Sequence, residues 1–78
     1  MLPIDWTKLE SEKINQVKFI PNRHDLRGDV MIEFNTGKVY KYRDVPAHKV
    51  ESMVHASSAG SYFHDNIKPY HAGEKEGE

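Results

Sequence analysis

The sequence predicts an α+β fold: a three-stranded antiparallel meander packed against one helix and followed by a short C-terminal helix. Residues 29–35 and 38–44 alternate apolar and polar side chains with the period of a strand, and the Asn-Thr-Gly at 35–37 is typical of a tight hairpin turn. Further on, residues 50–54 carry Val, Met and Val at the spacing of one helix face. Strands followed by helices favour the α+β class.

The length and composition predict a single small domain. With 78 residues, the chain buries only about 60 to 65% of the surface that its unfolded form exposes. It contains no cysteine, so disulfides and thiolate zinc sites are excluded. No apolar run approaches a membrane span and the first residues do not resemble a secretory signal, so we expect a cytoplasmic protein without a membrane partner.

The net charge argues against a typical duplex-DNA binder. Residues 1–70 contain ten basic and nine acidic residues, and the tail after Tyr70 contains one lysine and three glutamates. A chain this close to neutrality lacks the strongly basic balance of duplex-DNA-binding domains. Any nucleic-acid site must therefore be a local patch.

The first half of the chain contains the predicted strands. Residues 1–10 are an N-terminal extension that forms either a fourth, edge strand or a short turn, because they show no clean period. Ser11 begins a capped turn, and residues 15–20 then place Val17 and Phe19 on one face of a strand. This strand ends at Pro21, where a loop that includes His24 and Asp25 begins.

The strand from 38 to 44 has two faces of different chemistry. Alternation puts Tyr40 and Tyr42 on one face and Lys41 and Arg43 on the other. We expect the tyrosines to face the covering helix and the cations to face water on the outer face of the sheet.

The second half predicts helices and a tail. A helix from about 46 to 56 accepts Pro46 in its first turn, and Asp44 precedes it at the positive end of the helix dipole. Ser58 is a suitable N-cap for a short second helix. Residues 71–78 are polar and Gly-rich, so we expect a disordered acidic tail.

One ordered set of residues runs through most of the chain: Ser11 to Ile14 and Val17, then Tyr40 and Tyr42, Val45-Pro46 before a helix, Ser58 to Phe63 and Ile67. This set resembles the KTSC domain family. The resemblance covers residues 11–70. The family takes its name from the C-terminus of some lysyl-tRNA synthetases and also occurs as small stand-alone proteins of bacteria and phages. The resemblance implies a small α+β domain without an established activity, for which RNA binding has been suggested.

Two sets of residues are candidates for nucleic-acid or partner binding. The first is a basic patch that contacts a phosphate backbone, and its alternative is an ordinary solvated sheet face. The second is a platform of family-motif aromatic rings on which bases stack, and its alternative is a set of core side chains. The patch comprises Lys18, Lys38, Lys41, Arg43 and Lys68, and the platform comprises Tyr40, Tyr42, Tyr62 and Phe63.

A serine-glycine turn is a third candidate. Hydroxyl and N–H groups at a helix start suit an anion such as phosphate, whereas the alternative is a purely structural helix cap. The residues of this predicted anion-binding turn are Ser57, Ser58, Gly60 and Ser61.

Neither a metal nor a catalytic site is predicted. The five histidines are scattered and favour surface positions over a zinc site. Ser58 or Ser61 with His64 and Asp65 has the residue types of a triad, but neighbouring helix residues point about 100° apart, so we expect no relay and no catalytic residue.

The sequence therefore predicts a small non-catalytic binding module without a cofactor. The first hypothesis is RNA binding through the basic outer sheet face and the serine-glycine turn. The alternative is a protein–protein interaction module, a bacterial or phage accessory protein that binds a protein partner. A small-ligand or nucleotide site at the serine-glycine turn is a third hypothesis.

Overall fold

The fold is a five-stranded antiparallel sheet with two helices on one face. The computed structural model describes residues 2–23 and 26–76; the predicted loop residues His24 and Asp25 and the last two residues of the predicted tail lie outside this range. The elements are β1 (Thr7–Lys8), β2 (Ile14–Pro21), β3 (Arg27–Phe34), β4 (Val39–Pro46), α1 (Ala47–His55), α2 (Ala59–Asn66) and β5 (Gly73–Glu76). The strands follow one another across the sheet in chain order. The predicted α+β class and meander are confirmed.

The N-terminal strands follow the predicted pattern. β1 pairs with β2 through Thr7 opposite Val17, so the extension does add an edge strand. Ser11 caps the turn before β2, because its Oγ accepts hydrogen bonds from the N–H groups of Lys13 and Ile14, each at 3.3 Å. Gly37 closes the β3–β4 hairpin with a φ of +89°, a conformation that favours glycine.

The core lies between the inner sheet face and the helices. α1 packs on β3 and β4, and α2 packs on α1. Each fully buried aliphatic or aromatic side chain contributes about 1.5 to 3 kcal/mol of hydrophobic stabilisation. The buried apolar residues are Ile14, Val17, Phe19, Val30, Ile32, Tyr42, Val45, Val50, Met53, Ala59, Phe63 and Ile67. Tyr42 points inward, as the alternation predicts.

Asp44 has a different role from the one the sequence predicts. The helix begins at Ala47 with Pro46 as its N-cap, and no acidic residue lies in its first turn. Asp44 instead lies in a β-bulge with a φ of +57°, which aspartate tolerates better than most residues. There its Oδ1 accepts a hydrogen bond of 2.9 Å from Nε of Arg27. The first turn of the helix therefore contains no acidic side chain, and the carboxylate of Asp44 pairs with Arg27.

The predicted disordered tail contains a strand. Gly73–Glu76 pairs antiparallel with β4, with Gly73 opposite Tyr42 and Glu74 opposite Lys41. Composition did not indicate this strand, because backbone pairing and the ion pair between Arg43 and Glu74 hold it instead of apolar side chains. The disorder prediction is therefore wrong for residues 73–76.

His71, just before β5, gives the fold a predicted pH dependence. Burial lowers the pKa of His71 below its ordinary value of 6.5, and this outweighs the opposite effect of its hydrogen bond with the Arg43 carbonyl. The unfolded chain thus takes up this proton first, and we expect stability to fall as the pH drops below about 6.5. Melting temperatures between about pH 7.5 and pH 5.5 test this. His71→Gln should flatten the dependence and exposed His48→Gln should not; equal slopes in all three proteins would contradict it.

Candidate nucleic-acid interface

A groove beside the β3–β4 hairpin brings aromatic rings and lysines together. It has a volume of about 560 Å³ and lies between the inner face of the hairpin, the turn before β2 and the end of α2. We call it the aromatic groove. Its lining residues are Lys13, Phe34, Asn35, Thr36, Lys38, Tyr40, Tyr42, Phe63 and Lys68.

The rings of the aromatic groove form one connected cluster. Tyr40 and Tyr42 are stacked, with ring centroids 6.4 Å apart and planes 29° apart. Phe34 meets Tyr40 edge-on at 5.9 Å, and Phe63 meets Tyr42 edge-on at 5.0 Å. Tyr42 and Phe63 are buried, whereas Phe34 and Tyr40 are half-buried and face the opening. Burial, and then the neighbouring Tyr40, raises the pKa of the Tyr42 hydroxyl.

Three separate segments supply the lysines. Lys38 follows the hairpin turn, Lys68 follows α2, and Lys13 lies in the turn that Ser11 caps. The aliphatic stem of Lys13 rests on Gly60, where an added Cβ would come within 3.3 Å of the Lys13 Cβ. Among the described residues, those that line the groove include no carboxylate. The groove is therefore a cationic, partly aromatic surface.

The structure divides the predicted basic patch between two faces. Lys38 and Lys68 lie in the aromatic groove, whereas strand register places Lys18, Lys41 and Arg43 on the outer face of the sheet. These five cations thus form no single surface.

Carboxylates balance the cations of the outer face. Arg43 lies 3.1 Å from Glu74 on β5 and 3.8 Å from Asp29 on β3. The hydrogen bond and charge of Glu74 raise the pKa of Arg43. Along the described strands, register puts Lys8, Lys18, Lys41 and Arg43 on this face with Asp29, Glu33, Glu74 and Glu76, and Arg27 at its end pairs with Asp44. The outer face is neutral while β5 is in place.

The predicted anion-binding turn is a helix cap beside acidic residues. Ser58 is the N-cap of α2, and its Oγ accepts a hydrogen bond of 3.3 Å from the N–H of Ser61. The adjacent cleft, of about 380 Å³, is lined by Ser57, Ser58, Gly60 and Ser61 together with Glu10, Ser11, Glu12 and Lys13. Two carboxylates and one ammonium make this cleft less suited to an anion than the aromatic groove.

The remaining aromatic and titratable candidates lie elsewhere. Tyr62 is half-buried against the core and does not line the groove. Within residues 2–23 and 26–76, no three His, Asp or Glu side chains are grouped to hold a metal ion. His64 Nδ1 and Asp65 Oδ1 lie 3.3 Å apart, so the predicted divergence of these side chains was wrong. Both are highly exposed, at 72% and 73%, so their pairing stays on the surface.

Sequence reasoning missed four residues of the groove. Phe34 was assigned to the covered sheet face, Lys13 to a capped turn, and Asn35 and Thr36 to the hairpin only. Only the strand order and the position of α2 bring the segments at 13, 34–38 and 63–68 together. Phe34 could have indicated the groove from the sequence, because it lies on the same sheet face as Tyr40 and just before the hairpin turn.

Comparisons with known proteins agree with the resemblance in the sequence. Residues 10–71 match the family model of the KTSC domain. A protein of Stutzerimonas stutzeri described as uncharacterised is 30% identical over 63 residues, which cover 81% of this chain and 83% of that protein. The crystal structure of a KTSC domain protein from Yersinia pestis has a TM-score of 0.81 and 26% identity, covering 94% of this chain and 97% of that one. Neither helix in the described part of the chain is long and apolar enough to cross a membrane.

Proposed function

The chain belongs to the KTSC domain family, and from this premise we propose that it is a non-catalytic module that binds single-stranded RNA in the aromatic groove. The observation that supports this most strongly is the composition of the groove, in which half-buried rings and three lysines share one surface. Such a combination of a stacking ring and a cationic rim suits unpaired bases and their phosphates.

The stacking ring is Tyr40. It is half-buried at the mouth of the groove, and Phe34 and Tyr42 hold it on two sides. A ring held this way loses little freedom when a base stacks on it, and such stacking contributes about 1 to 3 kcal/mol per base. One unpaired base is therefore the unit that this groove accommodates.

The lysines would contact the phosphates on either side of that base. Lys13, Lys38 and Lys68 come from three segments around the groove, so each would contact one phosphate of a strand that lies in it. Within the described lining of the groove, there is no histidine, carboxylate, serine or cysteine, so the Thr36 hydroxyl has neither a histidine nor a carboxylate in the lining to act as its base. This composition favours binding over chemistry.

A salt titration tests the proposal. For three phosphate contacts on a single strand, the affinity for an oligouridylate should fall by about 20-fold between about 50 and 200 mM salt. Fluorescence anisotropy with an oligonucleotide of about ten residues measures this. Binding that does not change with salt, or the absence of binding at low salt, would contradict it. An oligothymidylate measured alongside distinguishes RNA from single-stranded DNA in general.

A substitution of the stacking ring tests where the RNA binds. Tyr40→Leu keeps an apolar side chain but removes the aromatic face, so the affinity should fall about tenfold. Tyr70→Leu is the matched control, because Tyr70 is 68% exposed, contacts Lys49 and lies outside the groove lining. Equal affinities for the two variants would place the binding surface elsewhere.

A protein partner is a second candidate function, favoured by apolar side chains on the surface. Large apolar residues are exposed near the N-terminus and around the β2–β3 connection: Ile4, Trp6, Ile20 and Leu26. A partner bound through them would show little salt dependence, in contrast to RNA. Copurification of one stoichiometric protein that is lost on Trp6→Ser would support this function over the first.

A further inference from the structure

β5 covers the part of β4 that adjoins the aromatic groove. It pairs with β4 from Val39 to Tyr42 and so forms the edge of the sheet beside Tyr40 and Tyr42. None of its four residues is apolar, and its first three are exposed. A strand that buries no apolar side chain is held mainly by backbone hydrogen bonds and charge, so we expect β5 to detach more readily than β2, β3 or β4.

One contact of β5 restricts access to a stacking ring. Gly73 lies directly against Tyr42, so that an added Cβ would be only 2.5 Å from Cε2 of the ring. Tyr42 and Tyr40 are already stacked on each other. Removing β5 would uncover the edge of Tyr42 and add a third ring to the two, Phe34 and Tyr40, that face the opening of the groove.

The other contact neutralises cations. Glu74 lies 3.1 Å from Arg43, and its position in the register is opposite Lys41. Glu76 lies further along the same face of β5. Without β5, the outer face would lose two carboxylates and no cation: Lys8, Lys18, Lys41 and Arg43 would share it with Asp29 and Glu33, and Arg27 would keep Asp44.

We propose that β5 is an autoinhibitory strand, which in its docked position keeps Tyr42, Lys41 and Arg43 from single-stranded RNA and which RNA displaces from β4. This inference rests on the proposed function of the aromatic groove. An RNA phosphate replaces the carboxylate of Glu74 at Arg43, and a base takes the place of Gly73 beside Tyr42. The acidic strand thus occupies the positions of a phosphate and a base.

The first experiment removes the acidic charges from the full-length protein. Glu74→Gln/Glu76→Gln should bind an oligouridylate at least tenfold more tightly than wild type. The slope of the logarithm of its affinity against the logarithm of the salt concentration should also become steeper by about 1.4, because two phosphate contacts are added. The control Asp5→Asn/Glu51→Gln also removes two negative charges, but at positions away from β5 and the groove. Its affinity should exceed that of wild type by less than about threefold at about 150 mM salt.

The second experiment displaces the strand and leaves its charges in place. Gly73→Leu places a side chain where Tyr42 lies, so β5 should lose amide hydrogen-exchange protection while β3 keeps it. This variant should also bind RNA more tightly, and adding RNA to wild type should deprotect the same β5 amides. Adding Arg43→Gln to Glu74→Gln/Glu76→Gln should cancel most of its gain.

The outcomes separate this inference from the proposed function. If wild type binds RNA with the expected salt dependence but neither β5 variant binds more tightly, the groove proposal stands and autoinhibition is refuted. If only the β5 variants bind, the blocking role of β5 is supported, whereas RNA binding by the wild-type groove and displacement of β5 by RNA are refuted. If none of the proteins binds at low salt, both proposals are refuted.

Discussion

Gly28→Ala is expected to lower the melting temperature by about 12 to 24 °C. Gly28 lies opposite Pro21 on β2 and opposite Val45 on β4, so backbone surrounds it on both sides. An added Cβ would collide with the Ile20 carbonyl oxygen and lie 2.8 Å from the Pro21 Cα. Backbone atoms cannot rotate away, and overpacking of this kind costs about 3 kcal/mol.

Gly37→Ala is the control that distinguishes a steric clash from an unfavourable backbone conformation. Gly37 has a φ of +89° but nothing within 4 Å of an added Cβ, so alanine there suffers only the conformational penalty of about 1 kcal/mol. Thermal unfolding followed by circular dichroism should therefore show a several-fold smaller decrease for Gly37→Ala. Equal decreases for the two variants would mean that the β2–β3 register at Gly28 differs from the one described.

The second large effect is on RNA affinity. Lys38→Glu/Lys68→Glu should weaken binding of an oligouridylate by at least about 100-fold at low salt, because each lost charge-assisted contact costs about 1.5 to 3 kcal/mol. Both lysines are exposed and line the aromatic groove, so the fold should be retained. Anisotropy titrations with wild type and variant in the same buffer measure the difference.

The matched control places the same charge change on the opposite face. Lys8→Glu/Lys18→Glu also lowers the net charge by four, but these residues lie on β1 and β2, away from the groove. We expect a change of less than about tenfold, since only long-range repulsion acts and salt screens it. If the control weakened binding as much as the groove variant, binding would follow net charge and the groove would not be the site.

Local patterns were sufficient to predict most of the fold. Alternation correctly placed Tyr42 inside and Lys41 outside, and Ser58 caps α2 as its residue type predicts. These features depend on neighbours within a few positions along the chain. The role of Asp44 depends instead on pairing with Arg27, seventeen residues away, which explains why residue type alone misassigned it.

The candidate site was harder to predict because it is assembled from distant segments. Lys38 and Lys68, two of the predicted binding candidates, line the aromatic groove, but Lys41, which was grouped with them, lies on the other face of the sheet. β5 was missed for a related reason: the pairing of Glu74 with Arg43 spans 31 residues and leaves no hydrophobic period in the sequence. Charged edge strands of this kind can be predicted only when their partner strand is known.

β5 also determines how the sheet meets other molecules of its own kind. β4 is eight residues long and β5 only four, with charged side chains at three of its positions. The opposite edge is β1, which has only two residues. Short, charged edges hinder strand-to-strand aggregation, and β4 adds protection of its own in Lys41, Arg43, the bulge at Asp44 and Pro46. Without β5, the edge offered to a second copy of this chain would therefore be limited to the stretch from Val39 to Tyr42 that β5 now covers.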